Sequence, residues 1–221
     1  MEKISYTEIK NNAELRTYIQ KGDDLLSALG FTEHAFVHAN KVAETVGTIL
    51  LEFGFSEREA ELGKIAGYMH DIGNLINRDG HAQSGAILAF NILTRIGMDP
   101  AEIALVSAAI GNHDEGNGKP INALAAALIL ADKSDVRRTR VRNTELVTFD
   151  IHDRVNYAVE ESTLTVDGKE KSVSLYLKVD TSISSKMEYF EIFLTRMMMC
   201  RKAAAFLGGN FELIMNTTKL L

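Results

Sequence analysis

Apolar residues recur at helical spacing in five successive segments between Phe31 and Asn143, and this periodicity constrains the fold more than any other feature of the sequence. The first segment covers residues 35–53 and stops at Gly54. The second opens at Ser56, which with Glu59 three residues later forms a capping-box pattern, and it ends before Gly73. Helices that each carry one apolar stripe must pack against one another, so these segments predict a helical bundle.

The remaining three segments carry comparable start and stop signals. A third helix is expected over about residues 83–96. Asp99 and Pro100 supply an N-cap and an N1 proline for a fourth helix that ends near Gly111. A fifth helix is expected to begin after Pro120 and to continue through ALAAALILAD into the arginine-rich turns that follow.

The pattern changes after Asn143. Residues 151–158 predict a short helix, and two β-rich runs at 162–166 and 173–179, joined by Asp167-Gly168, predict a hairpin. A long helix capped by Ser185 and Glu188 and a closing strand at 210–215 complete the chain. We therefore expect a mainly α fold, with a helical domain over residues 1–145 and a small α+β extension over residues 146–221 packed on it.

Composition limits the classes of function. The net charge of −6 argues against binding of extended nucleic acid, because a basic face is what releases counterions from phosphates. The sequence has neither an N-terminal apolar run of signal-peptide length nor a stretch long enough to span a membrane, which favours a cytoplasmic protein with no membrane partner. The single cysteine, Cys200, lies in an apolar helical run and is interpreted as a buried thiol.

Ionisable residues occupy positions where the predicted helices bring apolar faces together. They are His38, His70, Asp71, His81, His113 and Asp132. Taken singly, each histidine is more often a core or surface residue than a ligand, and Asp132 alone could pair with an arginine or cap a helix. An aspartate at the end of ALAAALILAD nevertheless costs several kcal/mol to bury unless a positive charge meets it. Imidazoles with carboxylates suit Mn, Fe, Co, Ni or Zn ions, so the set of six predicts a metal site.

Their order along the chain resembles a known signature. His38, His70-Asp71 within MHDIGN, and Asp132 within LADKSD are similar to the H…HD…D pattern of the HD superfamily of metal-dependent phosphohydrolases, over about residues 31–140. The resemblance implies an HD-type helical bundle in which these four residues hold one metal ion. It also implies a second ion, held by His81, by His113 and by Asp71 as the bridge.

One branch of that superfamily, the HD-GYP hydrolases of cyclic dinucleotides, is similar in part. HDIGN, HAQSGAIL and NHDEGNGKP match its motifs, but Asn74 replaces the usual lysine, Asn112-His113 replaces a pair of histidines, and Lys119-Pro120 stands where a tyrosine is usual. The cyclic dinucleotide substrate is therefore not carried over to this chain.

Basic residues just after Asp132 suggest how a substrate is held. The arginine run of residues 137–142 is either a solvated helix end, where cations complement the helix dipole, or part of a phosphate-binding wall. Arg137 and Arg138, together with Lys133 and Asn74, are the candidates for substrate binding. His34 and His152 are interpreted as ordinary residues, with a place at the pocket entrance left open for His34.

These features predict a metal-dependent phosphohydrolase that uses two divalent transition-metal ions to cleave a phosphate ester of a small molecule or nucleotide. Asp71 is the residue assigned to catalysis, because it alone would touch both ions. Two alternatives stay open at the level of sequence: a di-iron oxygenase of the same superfamily, and a nucleotide sensor without turnover. The sequence also leaves open whether the chain forms a homodimer.

Overall fold

The structure is a computed structural model that describes residues 3–142 and 151–221. The predicted domain boundary at residues 145/146 lies outside these ranges. Within them the helices are α1 (Tyr6–Asn11), α2 (Ala13–Ala28), α3 (Phe36–Glu52), α4 (Glu57–Met69), α5 (His81–Arg95), α6 (Pro100–Gly111), α7 (Ala123–Lys133), α8 (Ile151–Ala158) and α9 (Lys186–Phe206). No helix among the described residues is long and apolar enough to cross a membrane.

Four strands form one sheet in the order β1-β2-β3-β4. The strands are β1 (Val159–Asp167), β2 (Ser172–Val179), β3 (Asn210–Met215) and β4 (Thr218–Lys219). The predicted hairpin is confirmed, since β1 and β2 pair antiparallel. β3 pairs with β2 in parallel, because the long helix α9 carries the chain back between the two strands. The expected mainly α fold with a small C-terminal α+β extension is thus confirmed, although the sheet means that the chain as a whole is not all-α.

The capping signals act as the sequence predicts. Ser56 and Ser185 each form a complete capping box, and the side chain of Asp99 accepts hydrogen bonds from the first turn of α6. The fifth predicted helix differs, because α7 ends at Lys133 and only a 3-10 turn over Arg138–Arg140 follows. Beyond the end of the helix, the buried carboxylate of Asp135 accepts a hydrogen bond from Lys41 and lies 2.8 Å from Nδ1 of His38, so this segment is held against α3.

Helices α3 and α4 pack closely in the bundle core. A Cβ atom on Gly67 would lie 2.9 Å from Cα of Ala43 and 3.0 Å from its backbone nitrogen. The absence of a side chain at Gly67 therefore lets the two helix backbones touch. This contact brings the start of α3 beside the end of α4.

The C-terminal extension packs on the last helix of the bundle. α9 lies against α7, and the hydroxyl of Ser162 in β1 donates a hydrogen bond of 2.6 Å to the carbonyl of Ser134 at the end of α7. Cys200 is fully buried in α9, as expected. The extension therefore lies close to whatever α7 presents at its C-terminal end.

We predict that Gly67→Ala lowers the stability of the protein by about 1–3 kcal/mol, because the new methyl group meets backbone atoms that cannot move independently. Gly111→Ala in α6 is the matched control: its nearest neighbour is the Cβ of Ala86 at 3.4 Å, an ordinary contact. Thermal unfolding followed by circular dichroism should show a lower Tm for Gly67→Ala and an equal or higher Tm for Gly111→Ala. Equal Tm values for Gly67→Ala and the wild type would contradict the tight α3/α4 contact.

Candidate metal centre

The six residues singled out in the sequence come together at one point of the bundle, mostly at helix ends. They are placed by α3 (His38), the C-terminal end of α4 (His70), the turn after it (Asp71), the start of α5 (His81), the end of α6 (His113) and the last turn of α7 (Asp132). All four histidines are buried, with at most 3% of the residue exposed. Five helices therefore contribute to a single cluster of donors.

Two histidines and two carboxylates form one side of this cluster. Nε2 of His38 lies 3.3 Å from Nε2 of His70 and 3.3 Å from Oδ1 of Asp132. Oδ2 of Asp71 lies 3.2 Å from Nε2 of His70 and 3.7 Å from Nε2 of His38. These four side chains are the ones expected to share the first ion.

The other side of the cluster is formed by the second pair of histidines. Nε2 of His81 lies 3.2 Å from Nε2 of His113 and 3.5 Å from Oδ1 of Asp71. The two oxygens of Asp71 thus face different histidine pairs, as a bridging carboxylate would. The ligand atoms of His70, His113 and Asp132 also lie within 4.8 Å of one another, and this group takes members from both sides of the cluster. The assignment of ligands to two ions therefore stays a prediction.

Hydrogen bonds at Nδ1 orient all four imidazoles. His70, His81 and His113 place Nδ1 at 2.7, 3.0 and 2.6 Å from the backbone carbonyls of Gly67, Arg78 and Ile110. A carbonyl only accepts, so each Nδ1 carries a proton. In the neutral ring Nε2 is then unprotonated and its lone pair points at the cluster, which is the arrangement that a metal-binding histidine needs.

With the neutral imidazole rings that metal binding requires, the donor atoms fit a metal ion and do not satisfy one another. Unprotonated Nε2 atoms 3.2–3.3 Å apart present two lone pairs to each other, and Oδ2 of Asp71 is buried without a hydrogen-bond partner among the described residues. An ion with bonds of about 2.1 Å holds neighbouring donors roughly 3.0–3.4 Å apart. The shortest observed spacings, 3.2–3.3 Å, lie within that range, and a cation would complete the bonding of Asp71.

The pKa values of the cluster residues also indicate that a positive charge is needed at this point. Burial opposes the charged form of His70, but Asp71 and Asp132 outweigh it and raise the pKa of His70 to about 10. Burial, with the positive charges of His70 and Lys133, lowers the pKa of His113 to about 3. The pKa of each aspartate is held well below its usual range, since the neighbouring histidines and Lys133 overcome the effect of burial. The carboxylates thus require positive charge at this point, and an imidazolium supplies it when no metal does.

The carboxylate of Asp135 holds His38 in place, and the sequence analysis does not predict this contact. Nδ1 of His38 lies 2.8 Å from Oδ2 of Asp135, a residue that is 1% exposed. The same carboxylate accepts hydrogen bonds from Arg137 at 2.6 and 2.9 Å and from Lys41 at 2.8 Å. Asp135 is the second acid of the LADKSD motif, and its position three residues after Asp132 is the feature of the sequence that could have indicated it.

A cavity of about 410 Å³ opens onto the cluster. Its basic lining residues are Arg78, Lys133, Arg140 and Arg196. Of the predicted substrate-binding residues only Lys133 lines it, with Nζ 2.8 Å from Oδ2 of Asp132. His34 and His152, interpreted as ordinary from the sequence, both line the cavity.

The other three predicted substrate-binding residues have different contacts. Arg137 pairs with Asp135, and Arg138 donates to the carbonyl of Tyr157 and lies over the Tyr157 ring. Asn74 is buried, and its amide donates a hydrogen bond of 3.0 Å to Oδ1 of Asp71. Neither arginine lines the cavity, because their side chains contact Asp135 and Tyr157, and Asn74 contacts Asp71. A role of these three residues in substrate binding stays a prediction.

Comparisons with known proteins find a family and two relatives with similar sequences. Residues 35–156, more than half of the chain, match the family described as the HD domain. The chain is 26% identical to an uncharacterized protein, MJ1020, of Methanocaldococcus jannaschii over 214 residues, which cover 86% of this chain and 80% of that protein. It is 29% identical over 122 residues to Ribonuclease Y of Deinococcus radiodurans, covering 54% of this chain and only 19% of that protein.

One solved structure is also similar, a predicted HD superfamily hydrolase from an uncultured Thermotogales bacterium. The two chains are 24% identical with a TM-score of 0.45, over 56% of this chain and 67% of the other.

We predict that His81→Ala selectively removes one of two bound ions, because His81 contacts only the Oδ1 side of Asp71. Elemental analysis of metal-replete protein should give close to two transition-metal ions per chain for the wild type and close to one for His81→Ala. His152→Ala, which changes a cavity residue outside the donor clusters, is the control and should keep both ions. Loss of both ions from His81→Ala, or a single ion in the wild type, would contradict the two-ion grouping.

Proposed function

The chain belongs to the HD domain family, and we propose that it is a metal-dependent phosphohydrolase that cleaves a phosphate ester of a small molecule or nucleotide. The observation that carries this proposal is the position of Asp71. Its two oxygens face two pairs of histidines, and the cluster forms part of the wall of a cavity lined by four basic side chains.

The donors divide into two sets that share Asp71. His38, His70 and Asp132 would complete one set, and His81 with His113 the other. Divalent ions held there would act as Lewis acids toward phosphoryl oxygens and would activate a water molecule as the nucleophile. Asp71 would fix the distance between the two sets, and its own orientation is fixed by the amide of Asn74.

Basic side chains on both sides of the cluster would bind the phosphate. Lys133 contacts Asp132, while NH1 of Arg78 lies 3.7 Å from Oδ1 of Asp71. Burial disfavours the charge on Lys133, but Asp132 and Glu115 outweigh it and raise the pKa of Lys133, so its ammonium group stays charged. Fixed positive charges in a partly enclosed cavity stabilise the charge that develops on phosphate oxygens during hydrolysis.

The dimensions of the cavity favour a small substrate. A volume of about 410 Å³ lies in the range of sites that enclose metabolites and mononucleotides. The similarity of about half of the chain to Ribonuclease Y adds phosphodiesters to the substrates that need testing. The same donors also suit iron. An oxygenase reaction therefore has to be tested in parallel.

We predict that the metal-loaded protein hydrolyses at least one member of a panel of phosphate monoesters, mononucleotides, cyclic dinucleotides and short oligoribonucleotides. Asp71→Asn should lower kcat/KM by about 100-fold or more, because it removes charge from both donor sets. Circular dichroism should stay unchanged, since the fold rests on the apolar faces of the helices.

Asp79→Asn is the matched control, since it makes the same change at an exposed position of the loop that follows Asp71, and it should retain wild-type turnover. Wild-type activity of metal-depleted Asp71→Asn would show that the reaction does not need the metal. Consumption of dioxygen by the iron-loaded protein, with no hydrolysis anywhere on the panel, would replace the hydrolase proposal with an oxygenase.

A further inference from the structure

A helix outside the matched family region reaches the metal cluster. α9 lies beyond residues 35–156, yet Phe193 and Arg196 from this helix line the same cavity as Asp71 and Asp132. They reach it because α9 packs along α7, the helix that carries Asp132 and Lys133. The cavity wall is therefore built by both the helical bundle and the C-terminal extension.

Arg196 is held in place before any ligand arrives. Its Nε donates a hydrogen bond of 2.8 Å to Oε1 of Glu115, and its guanidinium lies over the ring of Phe193, 4.5 Å from the centroid. Lys133 approaches the same oxygen of Glu115 at 3.3 Å. One carboxylate thus fixes two cations side by side on the Asp132 side of the cluster.

The basic residues of the cavity differ in how their donors are used. Arg140 donates from Nε to the carbonyl of Glu33 and from NH1 to the carbonyl of Asp135, at 2.9 and 2.8 Å. In the described part of the chain, by contrast, the two terminal nitrogens of Arg196 make no hydrogen bond, and 23% of its side chain is exposed. A planar guanidinium with two free nitrogens at a cavity wall matches the oxygens of a phosphate.

We propose that Arg196 binds the phosphate group of the substrate, with Glu115 as its positioning residue, so that the C-terminal extension completes the active site. This inference rests on the proposed function in taking the ligand to be a phosphate ester. Lys133 and Arg196 would then contact the phosphate from the side of Asp132, and Arg78 from the side of Asp71. A chain cut off after the matched region would keep all six metal donors and lose this contact.

The test measures binding of inorganic phosphate to the full-length, metal-loaded protein by isothermal titration calorimetry. Arg196→Gln should weaken binding at least tenfold. Arg196→Lys, which keeps the charge but loses the fork, should weaken it several-fold. Arg201→Gln removes the same charge from an exposed position of α9 and should leave the affinity unchanged. Metal content and circular dichroism of each variant establish that the cluster and the fold are intact.

Hydrolysis of p-nitrophenyl phosphate by the same preparations separates this inference from the proposed function. A raised KM in Arg196→Gln and Arg196→Lys, with Arg201→Gln as the wild type, would support the role of Arg196. Phosphate binding and turnover that are equal in all four proteins would overturn that role and leave the hydrolase proposal standing. A wild type that does not bind phosphate would overturn the role of Arg196, and one that also hydrolyses neither this ester nor any member of the substrate panel would overturn both.

Discussion

Two largely enclosed carboxylates that need positive charge at the same point are the constraint around which this structure is arranged. Asp71 and Asp132 lie among four histidines whose Nδ1 atoms are already engaged, so the four Nε2 atoms face the two carboxylates. Such a group is costly to bury unless a cation occupies its centre. Five helices of the bundle begin or end at the cluster, and they bring these side chains together around the position that a cation would occupy.

Two glycines allow the helix ends to converge, because backbone segments touch at these positions without an intervening side chain. A Cβ atom on Gly73 would lie 1.9 Å from the carbonyl of His81 and 2.6 Å from the backbone nitrogen of Gly85. The turn after Asp71 therefore rests directly on the first turn of α5, which places His81 opposite Asp71. Gly67 has the same effect between α3 and α4, so glycines at two helix contacts set the spacing of the donors.

The sequence predicted those parts of the molecule that depend on local patterns. Helix positions followed from apolar periodicity and capping residues, and the six candidate donors stood out as ionisable side chains on apolar faces. The side chains that line the cavity were harder to predict, because a basic residue close to Asp132 in the sequence can turn toward the cavity or away from it. Arg137 turns to Asp135, while Arg196, 64 positions beyond Asp132 in the printed sequence, reaches the cavity through the packing of α9 on α7. The parallel pairing of β3 with β2 could not be predicted from local patterns either, because it depends on the path that α9 takes between the two strands.

The central claim is that Asp71 bridges two divalent ions, and anomalous diffraction from crystals grown with Mn²⁺ tests it most directly. The account predicts two anomalous peaks about 3.5–4 Å apart, one on the His38/His70 side of Asp71 and the other on the His81/His113 side. Each peak should lie about 2.0–2.3 Å from its nitrogen and oxygen ligands. A single peak centred between His70, His113 and Asp132, or no peak at the cluster, would contradict it.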